Sequence, residues 1–268
     1  MDAAENTVGL TCVHVAATVG VVQLLSEAKA QLNKVKNNGA SPLDWHARTN
    51  NVGHLQALLR LKANVNQTRP TSGETALFLA AQEGHIAAAS LLLQANATVD
   101  SCSKAGSSPF SVSCLTGHVP MVELLLAAKA AVDGCSVSKL WTPLTSSCRN
   151  GNISQVELLL AAKATVDLCR NTGSSPLFMA CQNGHAPVVE LLVAAKADLD
   201  LRNKSGYSPL NLACYMGHAT VAGIMVDAGA NYNNTDEIGI SAVEQATQRA
   251  HSHVAEVHLE HIQRKEKH

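Results

Sequence analysis

A unit of 33 residues recurs along almost the whole chain, and this period constrains the fold more than any other feature of the sequence. The clearest copy is GSSPLFMACQNGHAPVVELLVAAKADLDLRNKS, residues 173–205. The next copy, GYSPLNLACYMGHATVAGIMVDAGANYN, keeps Ser-Pro-Leu, Ala-Cys, Gly-His and Ala-x-Ala in register. A fixed period in this range is typical of a solenoid, in which each unit buries its apolar face against its neighbours.

The repeat predicts a pair of helices in each unit. A serine or threonine followed by proline is a good N-cap and first helical position, so the first helix has a defined start. Small residues inside that helix allow close packing, and the second helix has the larger apolar residues. We predict one domain over residues 1–268, with worn copies at both ends acting as caps. The units open near eight positions: Gly9, Gly39, Gly73, Gly106, Leu140, Gly173, Gly206 and Gly239.

The shared motifs are G-x-[ST]-P-L, then Ala-Ala or Ala-Cys, Gly-His, V-x-L-L-L, and Ala-x-Ala before an Asp or Asn. This pattern resembles the ankyrin repeat. The resemblance implies an all-α solenoid of stacked helix pairs joined by β-hairpin loops. It also implies a concave face, formed by the hairpin tips and the exposed side of the first helices, that binds proteins. The recurring Gly-His histidines are interpreted as structural hydrogen-bonding groups.

The overall charge does not indicate binding to nucleic acid or to an acidic membrane. The net charge is −1, and the isoelectric point is about 6.9. No apolar run approaches the roughly 20 residues that cross a bilayer, and the start of the chain, MDAAENTVGL, has no secretory signal pattern. We therefore expect a cytoplasmic protein with protein partners, no membrane span and no nucleic-acid partner.

No motif for catalysis or for a cofactor occurs in the sequence. There is no phosphate-binding glycine loop, zinc spacing or nucleophile elbow. The chemically promising histidines, cysteines and aspartates recur at fixed repeat positions, which duplication of a scaffold explains better than catalysis. We predict no enzymatic activity, no cofactor and no metal site.

The cysteines form two series at repeat-equivalent positions. Stacked helices lie about 8–10 Å apart, beyond the roughly 7 Å Cα separation that a disulfide allows, so the sequence predicts free thiols and a reducing compartment. One series lies inside the first helices, and the other lies in the hairpin loops: Cys114, Cys148, Cys181 and Cys214; Cys102, Cys135 and Cys169.

A row of lysines is the first candidate surface. Each lies directly before an alanine, in the middle of Ala-Lys-Ala except at Lys62, which follows Leu61, and the resembled family usually has glycine at this position. A residue other than glycine in a left-handed backbone conformation there costs roughly 1–2 kcal/mol. A cation at a helix C-terminus stabilises the protein by only about 0.3–1 kcal/mol. The row is either inherited from a duplicated ancestor or meets an acidic partner: Lys29, Lys62, Lys129, Lys163 and Lys196.

The second candidate surface lies at the exposed positions that the resemblance assigns to the concave face. Aromatic residues are 3% of the chain, yet several fall there together with Arg and Met. Trp, Tyr and Arg dominate interface hot spots. The alternative for Trp141 is that it packs against Val137 or a neighbouring hairpin and contributes only stability. The candidate contacts are Trp141, Arg149, Tyr207, Tyr215, Met216 and Leu115. Trp45, by contrast, is predicted to face the core.

Two functions remain open from the sequence. The first is non-catalytic protein recognition through the concave face, as an adaptor or as a fixed subunit of an intracellular assembly. The second is a regulatory or metal- and redox-sensing module that uses the cysteine series or the His-rich C-terminal helix. Three histidines in that helix fall on roughly one stripe: His251, His258 and His261.

Overall fold

The computed structural model describes residues 13, 18–27, 30–134, 141–233, 235, 240–242, 244 and 247. The chain divides into two compact units, Met1–Val137 and Ser138–His268. Secondary structure in the described residues is helical apart from one isolated bridge between Thr235 and Ser241, which confirms the all-α prediction. In these same ranges, no helix has the length and the apolar run that crossing a bilayer requires.

Both units consist of helix pairs in which a first helix of 7 or 8 residues precedes a second helix of 9 residues. In the described part of the first unit, a separate helix, α1, precedes these pairs. Its described helices are α1 (Val19–Glu27), α2 (Pro42–Arg48), α3 (Val52–Arg60), α4 (Ala76–Gln82), α5 (Ile86–Gln94), α6 (Pro109–Thr116) and α7 (Val119–Ala127). Those of the second unit are α8 (Pro143–Asn150), α9 (Ile153–Ala161), α10 (Pro176–Gln182), α11 (Ala186–Ala194), α12 (Pro209–Met216) and α13 (Ala219–Asp227).

The predicted helix starts are confirmed. At each Ser-Pro or Thr-Pro, the hydroxyl oxygen accepts a bond from the backbone N–H three residues later. The cap distance is 3.1 Å at Ser41, Ser108, Thr142, Ser175 and Ser208. Proline follows as the first helical residue, where its missing N–H costs nothing. These caps fix where each first helix begins.

Small side chains bring neighbouring first helices together. Ala80, Ala81, Ala180 and Ala213 are fully buried, as the sequence predicts. The second helices contribute larger buried residues. In α11 these are Val188, Val189 and Leu192, whereas Leu191 and Val193 are partly exposed. Burial of this kind stabilises by about 25 cal/mol per Å² of apolar surface.

The Gly-His histidines link each repeat to the one before it. Their Nε2–H groups donate to a carbonyl oxygen near the end of the preceding first helix: His85 to Arg48 at 3.0 Å, His118 to Gln82 at 3.1 Å, His185 to Arg149 at 2.9 Å and His218 to Gln182 at 3.2 Å. These carbonyls lie at a helix end, where no intrahelical donor remains for them. The structural interpretation of the histidines is therefore confirmed.

A second set of bonds joins successive hairpin loops through Asp and Asn side chains. Each carboxylate or amide oxygen accepts the backbone N–H of an equivalent loop one repeat later. The donor–acceptor pairs are Asn64 to Asn33 at 2.9 Å, Thr98 to Asn66 at 2.8 Å, Ala131 to Asp100 at 3.0 Å, Asp198 to Asp167 at 3.1 Å and Asn231 to Asp200 at 3.0 Å. The Asp and Asn residues at the starts of the hairpin loops thus have a structural role within each unit.

The hairpin loops close by short backbone turns. In the loop before α10, Arg170 N donates to Ser174 O at 3.1 Å and Gly173 N donates to Arg170 O at 2.9 Å. The loop before α12 repeats this arrangement between Asn203 and Tyr207, at 3.0 Å. Two backbone hydrogen bonds close a hairpin turn but are too few to define β-strands. The described residues contain no β-strand.

The prediction that Trp45 faces the core is wrong. Its side chain is partly exposed, and the Lys36 ammonium lies 3.8 Å from its ring centroid. The buried neighbour is Asp44, whose side chain is 1% exposed, with Arg69 Nε at 3.7 Å. Burial raises the pKa of Asp44, opposed by the Ser41 hydrogen bonds and by Arg69. Asp44 is the third residue of α2, and its bond to Ser41 N at 2.9 Å completes a capping box, which turns it inward in place of Trp45.

Some sequence predictions lie outside the described residues. These are the unit openings at Gly9, Leu140 and Gly239, the lysine Lys29, the hairpin cysteine Cys135, and the C-terminal histidines His251, His258 and His261. The prediction of one continuous domain over residues 1–268 stays a prediction.

The position of the His218 imidazole predicts that Gly184, in the preceding repeat, cannot be replaced without a loss of stability. Gly184 has φ +73°, and a Cβ there would lie 2.7 Å from His218 Nδ1. We expect Gly184→Ala to lower the free energy of unfolding by about 1–2 kcal/mol for the left-handed backbone, and by about 1 kcal/mol more for the displaced His218 bond. Urea unfolding followed by circular dichroism measures the change.

Gly229→Ala is the matched control, because Gly229 has φ +94° but open space where the Cβ would be. It should show the backbone cost alone. Equal losses for the two variants would show that the His218 contact does not constrain Gly184.

Candidate functional site

Trp141 lies immediately before the N-cap of α8, and two arginines flank it. The guanidinium carbon of Arg170 lies 3.7 Å from the Trp141 ring centroid, and that of Arg149 lies 4.9 Å away. Both are within the roughly 6 Å range of cation–π contacts. Trp141 is partly exposed, and Arg149 is exposed at the end of α8. The cluster therefore combines an aromatic ring with two positive charges at the surface.

Arg170 and Arg149 have no acidic partner among the described residues, where the recorded ion pairs all lie in the first unit. Arg170 Nη1 lies 3.8 Å from Met179 Sδ, a weak acceptor, and its buried Nε has no hydrogen-bond partner. Burial, and then the charge of Arg149, lower the pKa of Arg170. The two like charges are thus held together with Trp141 and without a neutralising carboxylate.

A groove of about 510 Å³ begins at Arg170 and runs between the loops before α10 and α12. Its floor includes Phe178 and Leu212, and Tyr207 lines it as well. Lys204 adds a second cation to the lining, which contains no carboxylate. Its volume lies in the range of about 300–1,000 Å³ that is usual for ligand pockets.

Tyr207 continues the surface toward the end of α12. Its ring packs edge to face against Tyr215, with centroids 6.5 Å apart and planes at 62°. Met216, the next residue, is 42% exposed. We call Tyr207, Tyr215 and Met216 the apolar ledge. Leu115 is also 42% exposed, in the last turn of α6, but it belongs to the first unit.

The structure brings together most of the predicted contact residues of the second unit. Trp141 and Arg149 form one contact group, and Tyr207 and Tyr215 form another. Sequence reasoning missed Arg170, which joins the first group to the groove. The sequence signal for Arg170 is weak, because the same turn position is also basic in two earlier hairpins, at Lys36 and Arg69.

The predicted left-handed backbone at the lysine row is confirmed. The φ angles are +62° at Lys62, +63° at Lys129 and Lys163, and +61° at Lys196. All four side chains are exposed just beyond a second helix. Gly229 occupies the equivalent position in the last of these turns, with φ +94°. The lysines therefore occupy a strained conformation, and their binding role stays a prediction.

The prediction of free thiols is wrong for Cys102, which is disulfide-bonded. The spacing between helices does not fix the path of a hairpin loop, so it does not exclude a disulfide there and does not support a reducing compartment. The described cysteines in the first helices are free and buried: Cys114, Cys148, Cys181 and Cys214. Burial raises the pKa of Cys114 and of Cys214 to about 12. Their reactive thiolate forms are thus scarce at neutral pH.

Cys169, in a hairpin loop, is free and partly exposed. Its pKa is raised by partial burial and by the charges of Asp167 and Asp198. Within the described ranges, no three His, Cys, Asp or Glu side chains are grouped as metal ligands. The metal- and redox-sensing alternative stays a prediction without an observation in its favour.

The chain matches the family model described as ankyrin repeats (3 copies) over residues 13–103, 45–134, 77–170 and 144–236. These matches span well over half of the sequence, and the chain belongs to the ankyrin-repeat family. Ankyrin repeats are generally protein–protein interaction modules, and their fold is typically non-catalytic.

Two similar proteins agree with this family. The human ASB11 ankyrin repeat domain, known from a crystal structure, matches with a TM-score of 0.72 and 26% identity over 83% of this chain and 98% of that one. Tyrosine-protein kinase Shark of Drosophila melanogaster is 30% identical over 113 residues, which are 41% of this chain. The match spans only 12% of the kinase, so the likeness concerns a small part of that protein.

Replacement of a lysine of the row by glycine is expected to stabilise the protein. Lys163→Gly should raise the free energy of unfolding by about 0.5–1 kcal/mol, because the left-handed cost of roughly 1–2 kcal/mol exceeds the helix-end charge term of about 0.3–1 kcal/mol. The reciprocal change, Gly229→Lys, should lower it by a similar amount. Thermal and urea unfolding measure both. A loss of stability in Lys163→Gly would show that the lysine contributes contacts that outweigh the strain.

Proposed function

We propose that this chain is a non-catalytic protein-recognition scaffold that holds its partner on the concave face of the second unit. The observation that carries the proposal is the pair of arginines stacked with Trp141 beside an open groove. Arginines that only stabilise the fold would normally form an ion pair with a carboxylate. Two unmatched, surface-accessible cations leave hydrogen-bond donors available to another molecule.

The residue types support recognition as well. Trp, Tyr and Arg are enriched at binding hot spots because a large rigid ring or a planar guanidinium contacts much surface at little entropic cost. Trp141 and Arg149 are in cation–π contact, and Tyr207 and Tyr215 are in aromatic contact. A surface that is ordered before binding loses less entropy when a partner arrives.

We propose an adaptor or a fixed subunit of an assembly, acting in the cytoplasm without enzymatic activity. A fixed subunit would bury a large apolar interface, whereas an adaptor would use a smaller and more polar one. The positively charged and largely polar lining of the groove favours the adaptor.

The test is partner capture by the full chain. Immobilised wild-type protein and the double variant Trp141→Ala/Tyr207→Ala are exposed to lysate of the native cell, and bound proteins are quantified by mass spectrometry. Partners retained by the wild type should fall at least about tenfold on the variant, as expected for loss of hot-spot residues.

Ile153→Ala is the matched control, since Ile153 is 42% exposed at the start of α9 and outside the groove lining. It should retain the partners. Helical circular dichroism and the melting midpoint should stay nearly constant in all three proteins. Unchanged capture by the double variant would contradict the proposed surface.

A further inference from the structure

We infer that the groove of the second unit binds an extended acidic peptide segment. A carboxylate of the peptide would lie against Arg149 and Arg170, and an apolar side chain a few residues away would cover the apolar ledge of Tyr207, Tyr215 and Met216. This inference rests on the proposed recognition function and specifies the chemistry of the partner.

The distribution of charge is the first argument. The chain has 21 acidic and 20 basic side chains, so carboxylates are plentiful. In the first unit, arginines pair with them: Arg48 with Glu83 and Arg69 with Glu74, each at 3.2 Å. Arg149 and Arg170 have no such partner in the described residues, and the groove lining has no carboxylate. The missing negative charge would come from the partner.

The geometry of the arginines is the second argument. A guanidinium stacked with an aromatic ring keeps its N–H groups at the edge of its plane, where they match a carboxylate in a two-pronged contact. Trp141 lies close to both guanidinium groups and so limits their movement before binding.

The Arg149 backbone is fixed independently of any ligand. Its carbonyl accepts the His185 bond at 2.9 Å, so the end of α8 is anchored to the next repeat. Arg170 begins the closed turn with Ser174 and Gly173. Both side chains therefore extend from rigid backbone, which reduces the entropy lost when an acidic residue is bound.

The shape favours a peptide over a single anion. The groove continues from Arg170 to Tyr207, and Tyr207 leads to Tyr215. Amide side chains of Gln182 and Asn203 also line it and can pair with a peptide backbone. A nucleic acid fits less well, because three cations neutralise few phosphates and the chain as a whole has a net charge of −1.

Selection from a phage-displayed library of random nine-residue peptides tests the inference on the full chain. Wild-type protein should enrich peptides containing Asp or Glu followed within a few positions by an apolar residue. The variant Arg149→Gln/Arg170→Gln should lose the acidic enrichment. The control Lys163→Gln/Lys196→Gln removes the same charge from exposed turns of the same unit and should keep it.

Affinities of one enriched peptide, labelled with fluorescein and measured by anisotropy, separate geometry from charge. Arg170→Gln should weaken binding about tenfold, as expected for loss of a charge-assisted hydrogen bond. Arg170→Lys keeps the charge but not the planar fork and should recover only part of the loss. Trp141→Phe should bind better than Trp141→Ala, because a ring can still hold Arg170. Melting curves verify that each variant is folded.

The outcomes distinguish the two proposals. Enriched peptides without acidic residues, whose binding is lost in Trp141→Ala/Tyr207→Ala, would overturn the acidic class while supporting recognition. Recovery of no peptide would contradict both. A fluorescein-labelled single-stranded oligonucleotide that binds more tightly than the enriched acidic peptide, and loses binding in Arg170→Gln, would overturn the inference in favour of a nucleic-acid ligand.

Discussion

The bond from each Gly-His histidine to the preceding first helix is the interaction on which the rest of each unit depends. It satisfies a carbonyl that the helix end leaves without a donor, and it fixes the spacing of successive pairs. At three of these four bonds the imidazole of the next repeat occupies the space of a Cβ, so that glycine is required: Gly84, Gly151 and Gly184. At the His85 bond the equivalent residue is Asn50, with φ +55°. Buried alanines and the Asp and Asn bonds between hairpin loops then follow the same spacing.

This division of labour leaves other positions free to vary. Caps, glycines, histidines and buried residues recur, whereas the residue after the opening glycine and the end of the first helix differ from copy to copy. Trp141, Arg149, Tyr207 and Tyr215 all lie at such positions. Arg149 combines both roles, since its carbonyl belongs to the histidine bonding and its side chain reaches Trp141. The repeat framework thus holds a variable surface in a fixed geometry.

Periodic features could be predicted from the sequence because each copy repeats the same local physics. The caps at Ser175 and Ser208 and the left-handed backbone at Lys163 are determined by a few adjacent residues. Contacts between repeats are harder to predict from the sequence. Arg170 reaches Trp141 across one repeat, and a capping box at Asp44 turns Trp45 outward. The disulfide of Cys102 depends on a loop path that helix spacing does not determine.

Hydrogen–deuterium exchange of the full chain, with and without a captured partner, tests the binding surface most directly. Bound partner should slow exchange in residues 141–150, 170–174 and 203–217, the segments that contain the arginines, the groove and the apolar ledge. Residues 161–165 and 194–198, which contain Lys163 and Lys196, should exchange as before. Protection confined to those lysine turns, with none in the first three segments, would contradict the account.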